Sequence, residues 1–551
     1  MLSRSKTCLD AATEILQHPA APIAGIGTQG LAAGSECAFP KAQHRRQGGL
    51  RVVEKPHFAT GISLRHLLAG HIQGDCPPNL RAASCTSDWR QVECGDVFVA
   101  MVEADRDGHD EAVEAVRRGA AAIICERPLP VFDVPQCVVT DSRAAYGRLC
   151  QALVGDPSRQ MKVIGVTGTH GKTTVTRLLS SIFRHAGCTF GSLDSFGFAD
   201  GFEDRPPLGE RLTPPVLARS LAEMVAAGAT HAAVELSSRE LSTQVPAGVT
   251  LDAVCISQVG RKHLAWHGSL ENYRNAKRRI FNYLQPDGVA IINADDPVSI
   301  GMLSDLNHAA LTFGLREQAE IVGEIIEQYI NEQIFVITAG DESVSVRTPI
   351  IGDHHVMNCL AATATALAYG LPLSAVARGL EAVEHLPGRM DRILCGQDFA
   401  VLIDAANSPE ALRASLRAAR RATSGRLICV FGTPENLDEA ELRAAGRVLG
   451  AMSDMAAIST SGRMDGTHRA CIAIHSGLAD RRKARVILDR HEAIAWALGE
   501  ATAGDTVLIA GLGDRPHTPG DAAESTVADR AVIQNILNGN LNIGSRQRLA
   551  A

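Results

Sequence analysis

Residues 161–186 place a buried strand, a glycine-rich turn and an amphipathic helix in immediate succession. The strand is Met161-Lys162-Val163-Ile164-Gly165-Val166. The turn runs Thr167-Gly168-Thr169-His170-Gly171-Lys172-Thr173-Thr174, and a helix is expected over Val175–Ala186. This is the setting that a phosphate-binding loop requires. Glycines let backbone N–H groups wrap phosphate oxygens, and the helix N-terminus adds partial positive charge. Lys172 supplies a full charge at the outer phosphates, and Thr173 can set its hydroxyl on Mg²⁺. Val166, not glycine, stands five residues before Gly171, so the spacing departs from the commonest form of the motif.

The remainder of the chain reads as α/β. Alternating strand and helix patterns give buried strands at Ala232–Leu236, Ala253–Ser257 and Val289–Asn293, of the type found in parallel sheets. Earlier, Asp96–Ala100, Ala121–Cys125 and Val138–Thr140 read as strands, with helices over Glu111–Arg118 and Ala144–Val154. Later, the helix Val356–Tyr369 is followed by strands at Ala400–Ile403, Leu427–Phe431 and Thr506–Ala510 in a second nucleotide-fold-like pattern. A length of 551 residues calls for several cores. We expect a disordered extension over 1–60, then domains at 61–158, 159–345 and 346–551.

Composition narrows the function. The net charge of −7 argues against a strongly basic nucleic-acid binder. No run of 18 apolar residues is present, so no membrane span is expected. Met1–Leu16 lacks the apolar stretch of a secretory signal. The 14 cysteines include no CxxC pair and read as reduced thiols, which points to the cytoplasm.

A phosphoryl-transfer site also needs carboxylates at strand ends to hold a cation. Glu235 ends the strand Ala232-Ala233-Val234 and leads into Leu236-Ser237-Ser238. His263 and His267 follow the strand Ala253–Ser257. Lys277 lies in Glu271–Phe281, which on its own reads as an ordinary charged helix.

Taken together, these segments resemble the Mur ligases, ATP-dependent amide-forming enzymes of peptidoglycan precursor synthesis. The closest branch adds the third residue of the peptide. The resemblance runs from about residue 80 to 535. It rests on Asp88-Trp89-Arg90, Gly95–Ala100 and Asp107-Gly108-His109 in the first domain. In the second it rests on the glycine turn, Thr213-Pro214, Glu235–Ser238, His263-Leu264, His267-Gly268, Ala276-Lys277 and Asn293–Pro297. In the third it rests on Asn358, Pro387–Met390, Asp404-Ala405-Ala406, Pro409 and Asp489-Arg490.

The resemblance implies a three-domain α/β architecture, with a central parallel-sheet ATPase domain and a Rossmann-like C-terminal domain. It implies that Gly168, Thr169, His170, Gly171, Lys172, Thr173 and Thr174 cradle ATP. Asn293 would meet adenine, and Arg389 and Asp404 the ribose or phosphate side. Thr173, Glu235, His263 and Lys277 would surround Mg²⁺, with Lys277 carbamylated. Lys172, Lys277 and His263 would be the catalytic groups, and Thr213 and Ser237 would meet the substrate. That substrate would be UDP-N-acetylmuramoyl-L-alanyl-D-glutamate, joined to an amino acid through an acyl phosphate. Small molecules would be the only partners of a monomeric, cytoplasmic enzyme.

Several positions depart from the family pattern. Trp89 replaces a small serine. Lys262 and Ala265 replace the acidic residues that flank His263-Leu264. Thr243 and Val245 stand where a substrate-holding Gln and Arg are usual, and Asn407 replaces a histidine. Thr460-Ser461-Gly462-Arg463 and Gly511-Leu512-Gly513-Asp514-Arg515 replace the segments that recognise the incoming amino acid. Two further readings therefore stay open: a Mur-type ligase for another carboxylate and amine, and a nucleotide-binding paralogue without catalysis.

Overall fold

The computed structural model describes residues 61–539, except 75, 104, 207–210, 262–263, 434–436, 461–466 and 514–527. The expected extension over 1–60 lies outside the described residues. Two compact units divide between Ala145 and Tyr146, ahead of the expected boundary at 158. The division falls inside the helix Ser142–Leu153.

The first unit holds a four-stranded parallel sheet of Cys85–Thr86, Val97–Val99, Ala122–Cys125 and Gln136–Val138. Phe98, Ala112, Ala115 and Ile123 fill its core. The last strand begins at Gln136, two residues before the sequence reading. The Gln136 amide is bonded to the backbone of Leu129 and Val131, which fixes the strand's entry.

In the second unit an eleven-stranded sheet surrounds the strand Lys162–Thr167. His231–Glu235 and Leu251–Ile256 flank it in parallel, with Glu235 paired to Val166 and Ile256 to Thr167. This register brings the C-terminal ends of three strands to the glycine turn. The sheet is not parallel throughout. Gln333–Ala339 and Glu342–Thr348 form an antiparallel hairpin on one edge, turning at Gly340 with φ of 59°.

This hairpin corrects the expected boundary at 345/346. The following helix, Asp353–Ala368, was expected to open the C-terminal domain, yet it packs in the central core. Val356, Leu360 and Ala364 contact the cluster that includes Ile164, Val166 and Leu178. A helix that is apolar nearly all round is stable only between other layers. The next helix, Leu373–Glu381, joins the same core through Val376 and Leu380.

A six-stranded sheet follows, in the order Asp391–Ile393, Ala400–Asp404, Thr506–Ala510, Leu427–Gly432, Met455–Ser459, Ala484–Val486. The first strand is antiparallel to its neighbour and the other pairings are parallel. The helix Asp529–Leu537 is fastened to this sheet by a buried bidentate pair. Arg490 Nε and Nη2 donate to the two Asp529 carboxylate oxygens at 2.8 and 2.7 Å. Asp529→Ala strands a buried guanidinium and is expected to cost about 3–5 kcal/mol. The denaturation midpoint of the full chain reads this loss, and an unchanged midpoint would contradict it.

Candidate active site

The glycine turn is pressed from two sides. Gly168 and Gly171 have φ of 153° and 85°. A Cβ at Gly168 would lie 2.0 Å from Ser257 Oγ, and one at Gly171 would lie 2.2 Å from Asn358 Oδ1. Ser257 follows the neighbouring strand, and Asn358 belongs to the central helix. Backbone strain of this kind costs about 1–3 kcal/mol. Gly171→Ala is therefore expected to weaken ADP binding by about 5- to 150-fold. Titration calorimetry measures this, and unaltered affinity would mean that the turn does not hold the nucleotide.

Lys172 is the first residue of the helix Lys172–His185, and its Nζ lies 3.5 Å from Glu235 Oε1. Thr173 Oγ1 donates to Glu235 Oε2 at 2.8 Å and lies 2.8 Å from Ser195 Oγ. The Ser195 N–H donates to the same carboxylate oxygen at 3.2 Å. Burial alone would raise the Glu235 pKa. The Lys172 charge, the Thr173 hydroxyl, the Ser195 amide and the Arg389 charge outweigh burial and hold it below the ordinary value. Glu235 is thus an anion at neutral pH.

One carboxylate and two hydroxyls within hydrogen-bond distance form a hard oxygen set, which fits Mg²⁺. Among the described residues no three His, Cys, Asp or Glu side chains gather as a metal cage. A cation here would complete its shell from water and phosphate oxygens, as Mg²⁺ usually does. Ser195 had no signal of its own in the sequence. It reaches the site because the strand Phe190–Asp194 ends beside Glu235.

Lys277 is 1% exposed, not on a solvated helix face. Its Nζ donates to the Gly168 carbonyl at 2.6 Å and lies 5.0 Å from the centre of the Tyr273 ring. Tyr273 OH is 2.7 Å from Thr169 Oγ1, which accepts the Gly260 N–H at 2.8 Å. The helix Leu270–Arg278 is therefore bonded directly to the turn. His267 Nε2 lies 3.0 Å from Ser238 Oγ. Burial, then the nearby Lys277 charge, lowers the His267 pKa.

Other expected contacts have a scaffold role in this structure. Asn293 Nδ2 donates to the Ser257 carbonyl at 2.7 Å, and its Oδ1 accepts the Asp295 N–H at 2.9 Å. Asp404 accepts the Met390 N–H at 2.8 Å on one oxygen and the Ser415 hydroxyl at 2.8 Å on the other. It thereby fixes the turn that carries Arg389, whose Cζ lies 5.8 Å from the Phe196 ring centre. His170 Nε2 is 3.2 Å from Ser408 Oγ, which links the glycine turn to the C-terminal sheet's helix Pro409–Ala422. Thr174 is buried in the first turn of its helix. Ser237 caps the short helix Ser238–Ser242, and Thr213 is exposed at the start of Pro214–Ala226. His263, Lys262, Ser461–Arg463, Asp514 and Arg515 lie outside the described residues.

The chain is similar to known proteins in sequence and in fold. Residues 166–366 match the Mur ligase middle domain, and residues 388–513 match the Mur ligase, glutamate ligase domain. The UDP-N-acetylmuramoyl-L-alanyl-D-glutamate–2,6-diaminopimelate ligase of Geobacillus kaustophilus is 34% identical over 438 residues, which is 78% of this chain and 89% of that relative. A solved structure of a ligase with the same printed name is similar at a TM-score of 0.63 and 24% identity, covering 87% of this chain and 99% of that one. The MurF ligase of Thermotoga maritima, solved in complex with ADP, is similar at a TM-score of 0.58 and 21% identity, covering 83% and 98%.

Proposed function

The chain belongs to the Mur ligase family, and on that footing we propose that it joins the third amino acid to UDP-N-acetylmuramoyl-L-alanyl-D-glutamate with hydrolysis of ATP to ADP and phosphate. The observation that carries this reading is the convergence of Lys172, Thr173, Glu235 and Lys277 on one glycine turn.

The reaction has two steps. A carboxylate oxygen of the substrate attacks the γ-phosphorus of ATP, the bond to the β-phosphate oxygen breaks, and ADP leaves. The amine nitrogen of the amino acid then attacks the acyl carbon. The carbon–oxygen bond to phosphate breaks, phosphate leaves, and the amine proton passes to solvent. Both steps gather negative charge at the γ-phosphate, so catalysis is chiefly positioning and charge neutralisation.

Lys172 and the backbone N–H groups of the turn supply much of that neutralisation. Glu235 and Thr173 would hold Mg²⁺, and Ser195 would orient Thr173. Bound there, Mg²⁺ supplies positive charge to the transferring phosphoryl group. Lys277 is read as a carbamate. Its ammonium gives up one proton, the free amine adds CO₂, and a second proton leaves to solvent, which replaces a buried cation with an anionic oxygen ligand. The N–H that remains keeps a donor for Gly168. Arg389 and Ser408, carried by the C-terminal part, close over the turn and exclude water, which would otherwise hydrolyse the acyl phosphate.

No helix among the described residues is long and apolar enough to cross a membrane. The nucleotide-linked substrate and the amino acid are small molecules, and the proposed site of action is the cytoplasm. The incoming amino acid would bind at the carboxyl ends of Met455–Ser459 and Thr506–Ala510, where ligands of open parallel sheets sit.

The test is phosphate release from ATP and Mg²⁺ with this substrate and a panel of amino acids, headed by 2,6-diaminopimelate. Release that depends on both substrates supports the reading. Release without any amide product would contradict it.

A further inference from the structure

The hairpin beside the glycine turn carries an aromatic residue that the ligase chemistry leaves unused. The strands Phe190–Asp194 and Gly197–Ala199 pair antiparallel with Asp194 opposite Gly197, so Ser195 and Phe196 form the tip. The strand Asp204–Arg205 pairs with the outer side of this hairpin. Gly197 has φ of 137°, and a Cβ there would collide with the Arg205 carbonyl oxygen, so the tip is closely held. Its two residues have different partners. Ser195 bonds to Glu235 and Thr173. Phe196 meets two guanidinium groups: the Cζ atoms of Arg177 and Arg389 each lie 5.8 Å from its ring centre.

These arginines come from different parts of the fold. Arg177 stands on the helix Lys172–His185, which begins at the glycine turn. Asp194 meets its charge, with Nε 2.7 Å from Oδ2 and Nη2 donating to Oδ1 at 3.1 Å. Asp194 Oδ1 also accepts the Phe196 N–H at 2.7 Å. The pair thus compensates a charge that would otherwise repel Arg389 from the ring. Arg389 arrives from the C-terminal part, on a turn whose next residue, Met390, is buried with φ of 48°. A non-glycine residue in that region is strained and persists only where its surroundings fix it. Asp404 accepts the Met390 N–H at 2.8 Å, and the Leu386 carbonyl accepts the Arg389 N–H at 3.0 Å.

The Arg389 backbone is therefore fixed, while a side chain of its length keeps much rotamer freedom unless something receives it. Phe196 is partly buried and outside the apolar clusters that take up Phe190 and Phe198. Its ring is placed to receive the guanidinium, which the negative aromatic face attracts within about 6 Å. A guanidinium stacked in this way keeps its planar fork for phosphate oxygens. We propose that Phe196 is a positioning residue: it seats Arg389 and aims it at the nucleotide phosphates. The hairpin tip then joins the cation end of the site, through Ser195, to the C-terminal part, through Arg389. This inference rests on the reading of the glycine turn as the nucleotide site.

The experiment is a double-mutant cycle on the full chain, read by calorimetry as affinity for a non-hydrolysable ATP analogue with Mg²⁺. The proteins are the wild type, Phe196→Leu, Phe196→Tyr, Arg389→Gln, and Phe196→Leu combined with Arg389→Gln. Phe196→Leu is expected to bind the analogue about 3- to 30-fold more weakly, the span of a cation–π contact. Phe196→Tyr keeps the aromatic face and stays near the wild type. With Arg389→Gln already present, the leucine adds less than about twofold, because the ring has no guanidinium left to seat. A packing role gives the same loss with or without Arg389. That result, or wild-type affinity in Phe196→Leu, overturns the inference. Melting temperatures check folding. Should Phe196→Leu not fold, pentafluorophenylalanine at position 196 takes its place in the cycle, since it keeps the ring's shape and reverses its charge distribution. A wild type that binds the analogue yet forms no amide overturns the ligase reading, and the cycle still decides this one. A wild type that does not bind the analogue overturns both.

Discussion

Lys172→Ala is expected to lower kcat for ligation by about 10³-fold or more, since removing one preorganised charge or donor from such a transition state costs that order of rate. The protein should still fold. Lys172 projects from a helix terminus, and its side chain contributes nothing to the apolar clusters beneath the turn. The same change removes the largest influence holding the Glu235 pKa down. In the wild type, that depression contributes stability above the ordinary carboxylate pKa, and the contribution is lost as pH falls through the lower folded value. In the variant this contribution shrinks, so chemical denaturation at neutral pH should show a small loss that narrows as pH falls. Near-normal turnover would remove the ATP site from the glycine turn.

Lys277→Ala is expected to cost about 10²–10³-fold in kcat, the range for losing an electrostatic element of the site. The distinctive result is rescue. If an anionic oxygen on this stem is what the reaction uses, then acetate or formate at high concentration should restore part of the rate by occupying the space left behind. Lys277→Arg retains a positive charge but cannot form the carbamate, and it should be inactive and resistant to rescue. A purely structural lysine gives the reverse pattern: Arg tolerated, Ala impaired, no response to carboxylates. Burial at 1% exposure and the bond to the Gly168 carbonyl make a surface role untenable.

How much of this was legible in the sequence depended on how local each feature is. The glycine turn, Lys172 and Thr173 form one continuous segment between a buried strand and a helix, so their geometry follows from adjacency. Glu235 could be read because a phosphoryl-transfer site needs a carboxylate at a strand end to hold a cation, and Glu235 ends a strand that runs into a serine turn. Lys277 was different. Its helix is rich in charge and reads as solvated, and only the family resemblance marked it out. Its burial depends on Tyr273 and Thr169, which are 104 residues apart along the chain.

Ser195 and the Asn358 contact with Gly171 had no local signal at all, since each results from sheet order or helix docking. The helix Asp353–Ala368 was assigned to the wrong domain because the glycines before it looked like a boundary. Gly340 turns a hairpin, whereas Gly352, with φ of 114°, starts the helix that packs on the central sheet. Asp404 drew attention as a ligand-facing carboxylate, yet both its oxygens hold protein groups. The nucleotide-side role came to Asp404 from the family resemblance alone; what the structure shows is its support of the neighbouring Arg389.

The most direct measurement follows the oxygen atoms. UDP-N-acetylmuramoyl-L-alanyl-D-glutamate labelled with oxygen-18 in its carboxylates is incubated with ATP, Mg²⁺ and the amino acid that gives turnover, and the products are weighed by mass spectrometry. The account requires one labelled oxygen in the released phosphate for each amide formed, together with a product heavier than the labelled substrate by one amino-acid residue less the two mass units of the heavy oxygen lost. Unlabelled phosphate, or phosphate released with no gain in substrate mass, would contradict it.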